Sequence, residues 1–258
     1  EDLTIDFGIN GYPVGAYVAA AHDDSMPIFE PETGVYCSML KDPYGAVHNQ
    51  GNGNADDTPS SVEIGPDGNY FVASYGSNNI RRITPAGVDL GNFLTATAGI
   101  NKIAAFTFGP NGNLLVIDEG GKRVVRFAGP LSSTTTPGAP IGTAPYTFIN
   151  QEATDINIGP DSNIYLVTAG SGGTAVRRYN ATTGAFLNLI VDQAQLVNLV
   201  AGGASNAEIS GIDIEAKTLY GINKTEGEVF KVDLTNPDLV PNPLKVADLD
   251  TAGAGTFD

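Results

Sequence analysis

The chain has no tryptophan, one cysteine and two histidines among its 258 residues. Cys37 cannot form an internal disulfide, and its place in an apolar strand indicates a buried thiol, with an intermolecular bridge or a reactive thiol as the alternatives. His22 and His48 are the only side chains that could act as a general base titrating near neutrality, and both lie in segments typical of solvated loops. Without tryptophan a sugar site lacks its largest stacking face, although ten tyrosines remain.

Positive charge and long apolar runs are also scarce. The 13 Lys and Arg residues face 29 Asp and Glu residues, which gives a net charge of -16. Because a protein neutralises phosphates with clustered Lys and Arg, this composition argues against nucleic-acid binding. No apolar run is long enough for a membrane span, and no Gly-x-Ser-x-Gly segment supports an α/β-hydrolase nucleophile. Polycations and Ca²⁺ remain as partners.

What the chain does contain is a repeat. Residues 61–72, 105–116 and 155–166 share an apolar strand, a Gly-Pro-(Asp/Asn)-(Gly/Ser)-Asn turn and a second apolar strand, and residues 211–220 follow the same pattern more loosely. Proline fixes φ in such a turn, and glycine supplies a left-handed position. Two further strands follow each hairpin, and the units are 44 to 57 residues apart. This period predicts an all-β fold, a β-propeller of four-stranded blades.

Five units are visible, with approximate bounds 1–45, 46–95, 96–150, 151–200 and 201–250. Together they predict a single β-propeller domain over residues 1–258. Residues 251–258 are either a closing strand or the start of a sixth unit. A propeller closes its ring to avoid exposed sheet edges. Five blades with a terminal clasp are therefore slightly favoured over a larger ring completed by residues beyond this chain.

The segment that contains Gly65-Pro66-Asp67-Gly68 and Arg81-Arg82 resembles NHL-type repeats. The whole chain is similar to the wider six-bladed superfamily of streptogramin lyases and gluconolactonase-like enzymes. This resemblance implies the fold and leaves the function open, because the group includes scaffolds, ligand binders, lactonases and lyases. In the streptogramin lyases a histidine acts beside a metal.

The middle residues of the first strands are expected to gather near the propeller axis: Asp6, Glu63, Thr107, Asn157 and Asp213. Carboxylate and amide oxygens are ligands that suit Ca²⁺. The resemblance to gluconolactonase-like enzymes implies Glu63, Asn157 and Asp213 as the metal ligands, and the position of Asp6 adds it to the set. The alternative is a ring of polar side chains that hydrates a channel or bonds to the backbone. No other cofactor and no catalytic residue is indicated.

Other polar residues have a structural interpretation. The doublets Arg81-Arg82 and Arg177-Arg178 occupy equivalent third strands, which indicates pairing with neighbouring carboxylates. Asn180-Ala181-Thr182 and Asn223-Lys224-Thr225 fit the N-glycosylation pattern at predicted turns. A chain that begins with Glu is consistent with a removed leader peptide or with a fragment. These features favour an extracellular or cell-surface protein.

Three functions remain open at this point. The leading hypothesis is an extracellular structural or interaction protein, not an enzyme, whose propeller is a scaffold for a protein partner or for self-association by strand addition at the incomplete terminal unit. The first alternative is a metal-dependent lactonase or esterase-like hydrolase with an axial cation. The second is a carbohydrate or small-ligand binding module.

Overall fold

The computed structural model describes the backbone of residues 5–7, 16–18, 27–29 and 36–39, and residues 59–95, 99–169, 173–197, 207–225, 227–239 and 243–248. In this part of the chain the strands form five antiparallel sheets of four strands each. The sheets are arranged as a β-propeller, and the predicted fold class is confirmed. No helix among the described residues is long and apolar enough to cross a membrane.

Each sheet takes its strands in chain order, as the repeat predicts. The first sheet contains β1 (Ile5–Phe7), β2 (Ala16–Val18), β3 (Pro27–Phe29) and β4 (Tyr36–Met39). The second contains β5 (Pro59–Ile64), β6 (Tyr70–Ser74), β7 (Asn79–Ile83) and β8 (Asp89–Leu94). The third contains β9 (Ile103–Phe108), β10 (Leu114–Asp118), β11 (Arg123–Phe127) and β12 (Thr147–Ile149).

The remaining two sheets lie after residue 150. The fourth contains β13 (Ala153–Ile158), β14 (Ile164–Thr168), β15 (Ala175–Tyr179) and β16 (Phe186–Asp192), followed by the short helix α1 (Gln193–Val197). The fifth contains β17 (Ile209–Glu215), β18 (Thr218–Asn223), β19 (Glu228–Asp233) and β20 (Leu244–Asp248). The chain divides into two compact units, residues 1–148 and 149–258. A single domain over residues 1–258 stays a prediction.

The repeated hairpin turn has the geometry that its sequence predicts. Gly65 N donates to Asn69 O at 2.8 Å, and Gly68 N donates to Gly65 O at 2.9 Å. The same pair of bonds closes the turns that begin at Gly109 and Gly159. The fourth residue of each turn is left-handed, with φ of 75° at Gly68, 74° at Gly112 and 60° at Ser162. Local turn chemistry therefore fixes the start of these three sheets.

The apolar cores of the two units lie between neighbouring sheets. All five residues of β6, of β10 and of β14 are buried, because neighbouring elements cover both of their faces. In the first unit, Phe71 and Ile80 pack in one cluster with Phe106 of the third sheet. In the second unit, Tyr165 packs in one cluster with Phe230 of the fifth sheet. This packing places the first strand of each of these sheets beside the first strand of its neighbour, β5 with β9 and β13 with β17.

Candidate functional site

Two polar side chains of β13 bind the backbone of β17. Asp155 Oδ2 accepts a hydrogen bond from Ile212 N at 2.7 Å. Asn157 Nδ2 donates to Ile212 O at 2.8 Å. Side chains of the neighbouring sheet thus bind both the N–H and the C=O of Ile212. Without these side chains the two backbone groups would lie at a strand edge without partners. Asn157 has the backbone-bonding role that the sequence left open as an alternative to metal binding.

Asp155 is a residue that the sequence reading did not single out. It lies two positions before Asn157 on the same strand, and alternate residues of a strand point to the same face. The sequence signal for this role is the spacing of two residues between a hydrogen-bond acceptor, Asp155, and a donor, Asn157, which face the same neighbouring strand.

Asp213 is the next residue after Ile212, whose backbone Asn157 binds. Asp213 is exposed, and its Oδ1 accepts a hydrogen bond from Ile214 N at 2.8 Å. Protein atoms around the carboxyl displace part of the bulk water, and this desolvation raises the pKa of Asp213. The like charge of Glu215 adds to the shift, whereas the bond from Ile214 N opposes it.

The other two predicted metal ligands lie in the first unit. Glu63 is a partly buried residue of β5. Asp6 lies in β1 opposite Tyr17, and its side chain is outside the described residues. Among the residues whose side chains are described, no three His, Cys, Asp or Glu side chains lie close enough to share a metal ion. The metal site at Asp6, Glu63, Asn157 and Asp213 stays a prediction.

Arg81, Arg82 and Arg178 of the arginine doublets pair with carboxylates, as the sequence indicated, whereas Arg177 Nη1 donates to Gln151 Oε1 at 3.3 Å. Arg82 forms an ion pair with Asp67 in the turn of its own sheet. At the equivalent position Arg178 Nε donates to Asp161 Oδ2 at 2.6 Å, and its Nη1 lies 2.5 Å from Asp238 Oδ1. Burial favours a higher pKa for Asp161, but hydrogen bonds from Asn163 and Arg178 outweigh it and hold that pKa below its usual value. These ion pairs therefore stabilise the fold.

A cluster of polar side chains lies where the β6–β7 loop, the β10–β11 loop and the start of β9 meet. Tyr75 Oη donates to Glu119 Oε1 at 3.1 Å. Lys102 Nζ lies 5.3 Å from the centroid of the Tyr75 ring, and the interaction with Tyr75 raises the pKa of Lys102. Lys102 and Asn78 have left-handed backbones, with φ of 65° and 56°. No motif in the sequence marks this cluster, because Tyr75, Lys102 and Glu119 lie in three separate segments.

The two glycosylation motifs differ in their surroundings. Asn180 lies in the turn between β15 and β16, where its Oδ1 accepts hydrogen bonds from Thr182 N and Thr183 N, both at 2.9 Å. Asn223 is instead the last residue of β18 and is 1% exposed. Its Nδ2, the atom to which a glycan is attached, is buried and has no hydrogen-bond partner among the residues that the structure describes. Asn223 does not occupy the solvent-facing turn that the sequence predicted.

Several candidates lie outside the described residues. These are His22, His48, the side chain of Cys37 and residues 249–258, which include the terminal segment 251–258.

Apolar side chains are exposed along the fourth strands of three sheets. A fourth strand has a neighbouring strand on one side only, so it forms the edge of its sheet. The exposed residues are Val88 just before β8 and Leu90 on it, Phe186 and Leu187 on β16, and Leu244 and Val246 on β20, with exposed fractions of 42% to 59%. Register shifts interrupt the pairing of all three strands with their neighbours. Such bulges bend an edge and hinder its pairing with another chain.

The fold has known counterparts among solved structures. An inactive variant of virginiamycin B lyase from Staphylococcus aureus, solved with quinupristin, has a TM-score of 0.56 and 14% identity, with coverage of 93% of this chain and 68% of that one. A protein assigned to the gluconolactonases has a TM-score of 0.60 and 15% identity, with coverage of 90% and 72%. An auxiliary nutrient binding protein from Bacteroides ovatus has a TM-score of 0.53 and 14% identity, with coverage of 75% and 43%.

The chain has the fold of these propellers. The fold expected from the resemblance to streptogramin lyases and gluconolactonase-like proteins is thus confirmed. No protein-family model matches the sequence, and neither does any curated protein. At such low identity the likeness concerns the fold alone, and a shared fold does not determine function.

Proposed function

We propose that this protein is an interaction scaffold that acts outside the cell or at its surface. The observation that carries the proposal is the recurrence of exposed apolar side chains on β8, β16 and β20. Single exposed apolar residues are normal on any protein surface. Their recurrence on the fourth strand of three sheets is different, because it leaves apolar surface at the equivalent edge of each of these sheets, where a partner can contact it.

The structural roles of the polar residues support the same proposal. Asn157 and Asp155 bind the backbone of Ile212, and Arg178 is held between two carboxylates. Groups engaged in this way hold sheets and turns together, and they are not poised to move protons. The net charge of -16 and the turn position of Asn180 fit a secreted protein.

A second copy of the chain is a poor occupant of these edges. The bulges hinder strand addition, and two chains that each carry a net charge of -16 repel one another. We therefore propose that the partner is a different protein. Self-association is the outcome that would contradict this proposal.

The experiment places a photo-reactive benzoylphenylalanine at Leu187 on β16, with the same group at Lys217, an exposed residue in the β17–β18 turn, as the control. The labelled proteins are exposed to the secreted and surface fractions of the source cells, and cross-linked peptides are identified by mass spectrometry. We expect cross-links to one partner from position 187 and none from position 217. Equal labelling at both positions, or cross-links only to a second copy, would overturn the proposal.

One observation favours the hydrolase as a second candidate. Asp213 has a raised pKa and follows Ile212, whose backbone carbonyl accepts a hydrogen bond from Asn157. Calcium titration by calorimetry and a lactone hydrolysis assay test this candidate. Binding and turnover that are both lost in Asp213→Ala would support it, whereas unchanged values in that variant would dismiss it.

The Tyr75 cluster favours the carbohydrate module as a third candidate, since an aromatic ring beside charged groups suits a sugar. Lys102 already lies over the Tyr75 ring, so a sugar would have to displace it or use the other face. Screening of the protein and of Tyr75→Ala on a glycan array tests this candidate.

A further inference from the structure

The outer surface of β16 adjoins a loop of the fifth sheet. Asn188 Nδ2 donates a hydrogen bond to Pro237 O at 2.7 Å, which holds the loop that follows β19 against β16. Phe186 and Leu187 are exposed on the strand, and Leu239 in this loop is 65% exposed. We call Phe186, Leu187 and Leu239 the β16 patch.

The pairing of β16 with β15 has two register shifts, and Leu187 and Ile190 are the residues without an opposite partner. A strand bulged twice presents an irregular row of backbone groups, so a partner cannot add to it as a regular fifth strand. Leu187 lies at one of these bulges and is exposed. Contacts on this surface are therefore made by side chains.

The two segments that carry the β16 patch contain acidic side chains but no basic ones. Residues 179–192 and 233–239 contain no Lys or Arg. The side chain of Asp238, next to Leu239, is 81% exposed. Its ion-pair partner Arg178 is 8% exposed and is shared with Asp161, so the positive charge is buried beneath the surface while the carboxylate faces solvent.

The other two edges differ in charge. On β8 the carboxylate of Asp89 is paired with Arg81, whose side chain is 23% exposed. On β20 a lysine, Lys245, stands between the two exposed apolar residues and pairs with Glu228. Beside β16 the residue equivalent to Arg81 is Arg177, which lies opposite Leu189, is partly buried and donates from Nη1 to Gln151 Oε1 at 3.3 Å. The strand β16 itself carries no Lys or Arg, and the carboxylate of Asp238 beside it is exposed.

We infer that the β16 patch binds a partner segment that carries basic and apolar side chains together. This inference rests on the proposed scaffold function. Apolar side chains of the segment cover Phe186, Leu187 and Leu239, and a Lys or Arg lies beside Asp238. The electrostatic part weakens with salt, because the Debye length falls to about 8 Å at physiological ionic strength.

The test uses the full chain and three labelled eight-residue peptides, which alternate Arg with Val, Glu with Val, or Arg with Ser. Fluorescence anisotropy at 25 mM and 150 mM salt measures their affinities. We expect the Arg-Val peptide to bind most tightly and more weakly at the higher salt, the Arg-Ser peptide to bind about tenfold more weakly, and the Glu-Val peptide not to bind.

The variants locate the site. Leu187→Ser and Leu239→Ser each weaken the Arg-Val peptide about tenfold, since each removes one apolar anchor of a small contact. Asp238→Asn weakens it several-fold at 25 mM salt and reduces the salt dependence. The matched control is Leu131→Ser, because Leu131 is 66% exposed in the other unit and its replacement leaves the affinity unchanged. Thermal unfolding of every variant verifies that the fold is intact.

Equal affinity in Leu187→Ser, Leu239→Ser and Leu131→Ser would overturn the inference, as would binding of the Glu-Val peptide or no binding of the Arg-Val peptide. The cross-linking experiment separates this failure from that of the scaffold. A partner captured at position 187 through an acidic segment refutes the basic partner but keeps the scaffold. No partner at position 187 refutes both.

Discussion

Replacement of Gly159 by alanine should destabilise the second unit, chiefly through a clash with the ring of Tyr165. A Cβ on Gly159 would lie 2.1 Å from Cε2 of Tyr165 and 2.9 Å from Oδ1 of Asp161. Carbon atoms in ordinary contact are about 3.5 Å apart or more, so the ring or the backbone would have to move by about 1.4 Å. Tyr165 has no exposed surface and packs among buried residues of the fourth and fifth sheets, so its ring has no free space to move into.

Overpacking of this kind costs about 1 to 3 kcal/mol. For a protein of this size about 1 kcal/mol shifts the unfolding midpoint by about 2 to 4 °C, so Gly159→Ala should lower it by about 2 to 12 °C. The assay is thermal unfolding followed by circular dichroism, with urea unfolding as a second measure of the free energy.

The repeat supplies the matched control. Gly109 is the equivalent glycine of the third sheet, and there the second strand carries Leu115 in place of an aromatic residue. A Cβ on Gly109 meets Asn111 Oδ1 at 3.3 Å and Leu115 Cδ1 at 3.5 Å, which small movements can relieve. Alanine also restricts the unfolded chain, so Gly109→Ala should be neutral or stabilise by up to about 1 kcal/mol.

The double variant Gly159→Ala/Tyr165→Leu copies the glycine-side contact of the third sheet. Tyr165→Leu alone leaves a cavity, but it also removes the ring that the new methyl group meets. We expect Gly159→Ala to lower the free energy of unfolding by at least about 1 kcal/mol less in the Tyr165→Leu background than in the unmodified chain. A difference of this size is typical of two residues in direct contact. Equal costs in both backgrounds, or equal losses for Gly159→Ala and Gly109→Ala, would refute the steric explanation.

Three further predictions concern single side chains. Ser162→Gly should stabilise the protein by about 0.5 to 1 kcal/mol in thermal unfolding, because Ser162 has φ of 60° where two other repeats use glycine, and Ser162→Ala should give no gain. The pKa of Asp161 is lower in the folded than in the unfolded chain, so its contribution to stability is present above the unfolded pKa and is lost as the pH falls through the folded pKa. Urea unfolding between pH 2 and 6 should therefore show that the free energy of unfolding falls less steeply with acid in Asp161→Asn than in the unmodified chain. An unchanged slope would contradict this. In a eukaryotic secretion host Asn180→Gln should remove a glycan mass, whereas Asn223→Gln should leave that mass unchanged and lower the stability, and a glycan found on Asn223 of the folded protein would contradict its burial.

The sequence predicted the hairpins because their cause is local. Proline, a small polar residue and glycine within five positions determine the turn that starts at Gly65, and the same spacing recurs at Gly109 and Gly159. The ion pair between Arg82 and Asp67 was also foreseeable, since it joins the turn and the third strand of the same sheet.

The candidate sites were predicted less well because their contacts are distant in sequence. The partner of Asn157 is the backbone of Ile212, 55 residues away, and no motif within the repeat specifies that bond. The sequence predicts an exposed turn at Asn223, but β18 continues through this residue and its side chain is buried. A glycosylation motif states only which residues are present, and burial depends on the neighbouring strands.

The repeated sequence by itself determined the strand order within each sheet, the turns and the all-β class, because all of these depend on residues close together in the chain. Only the tertiary structure decided which polar residues hold neighbouring sheets together and which apolar residues face solvent. The physical reason is that a side chain at a strand position has two possible surroundings, another sheet or water, and the choice is made by packing between segments that are far apart in the sequence.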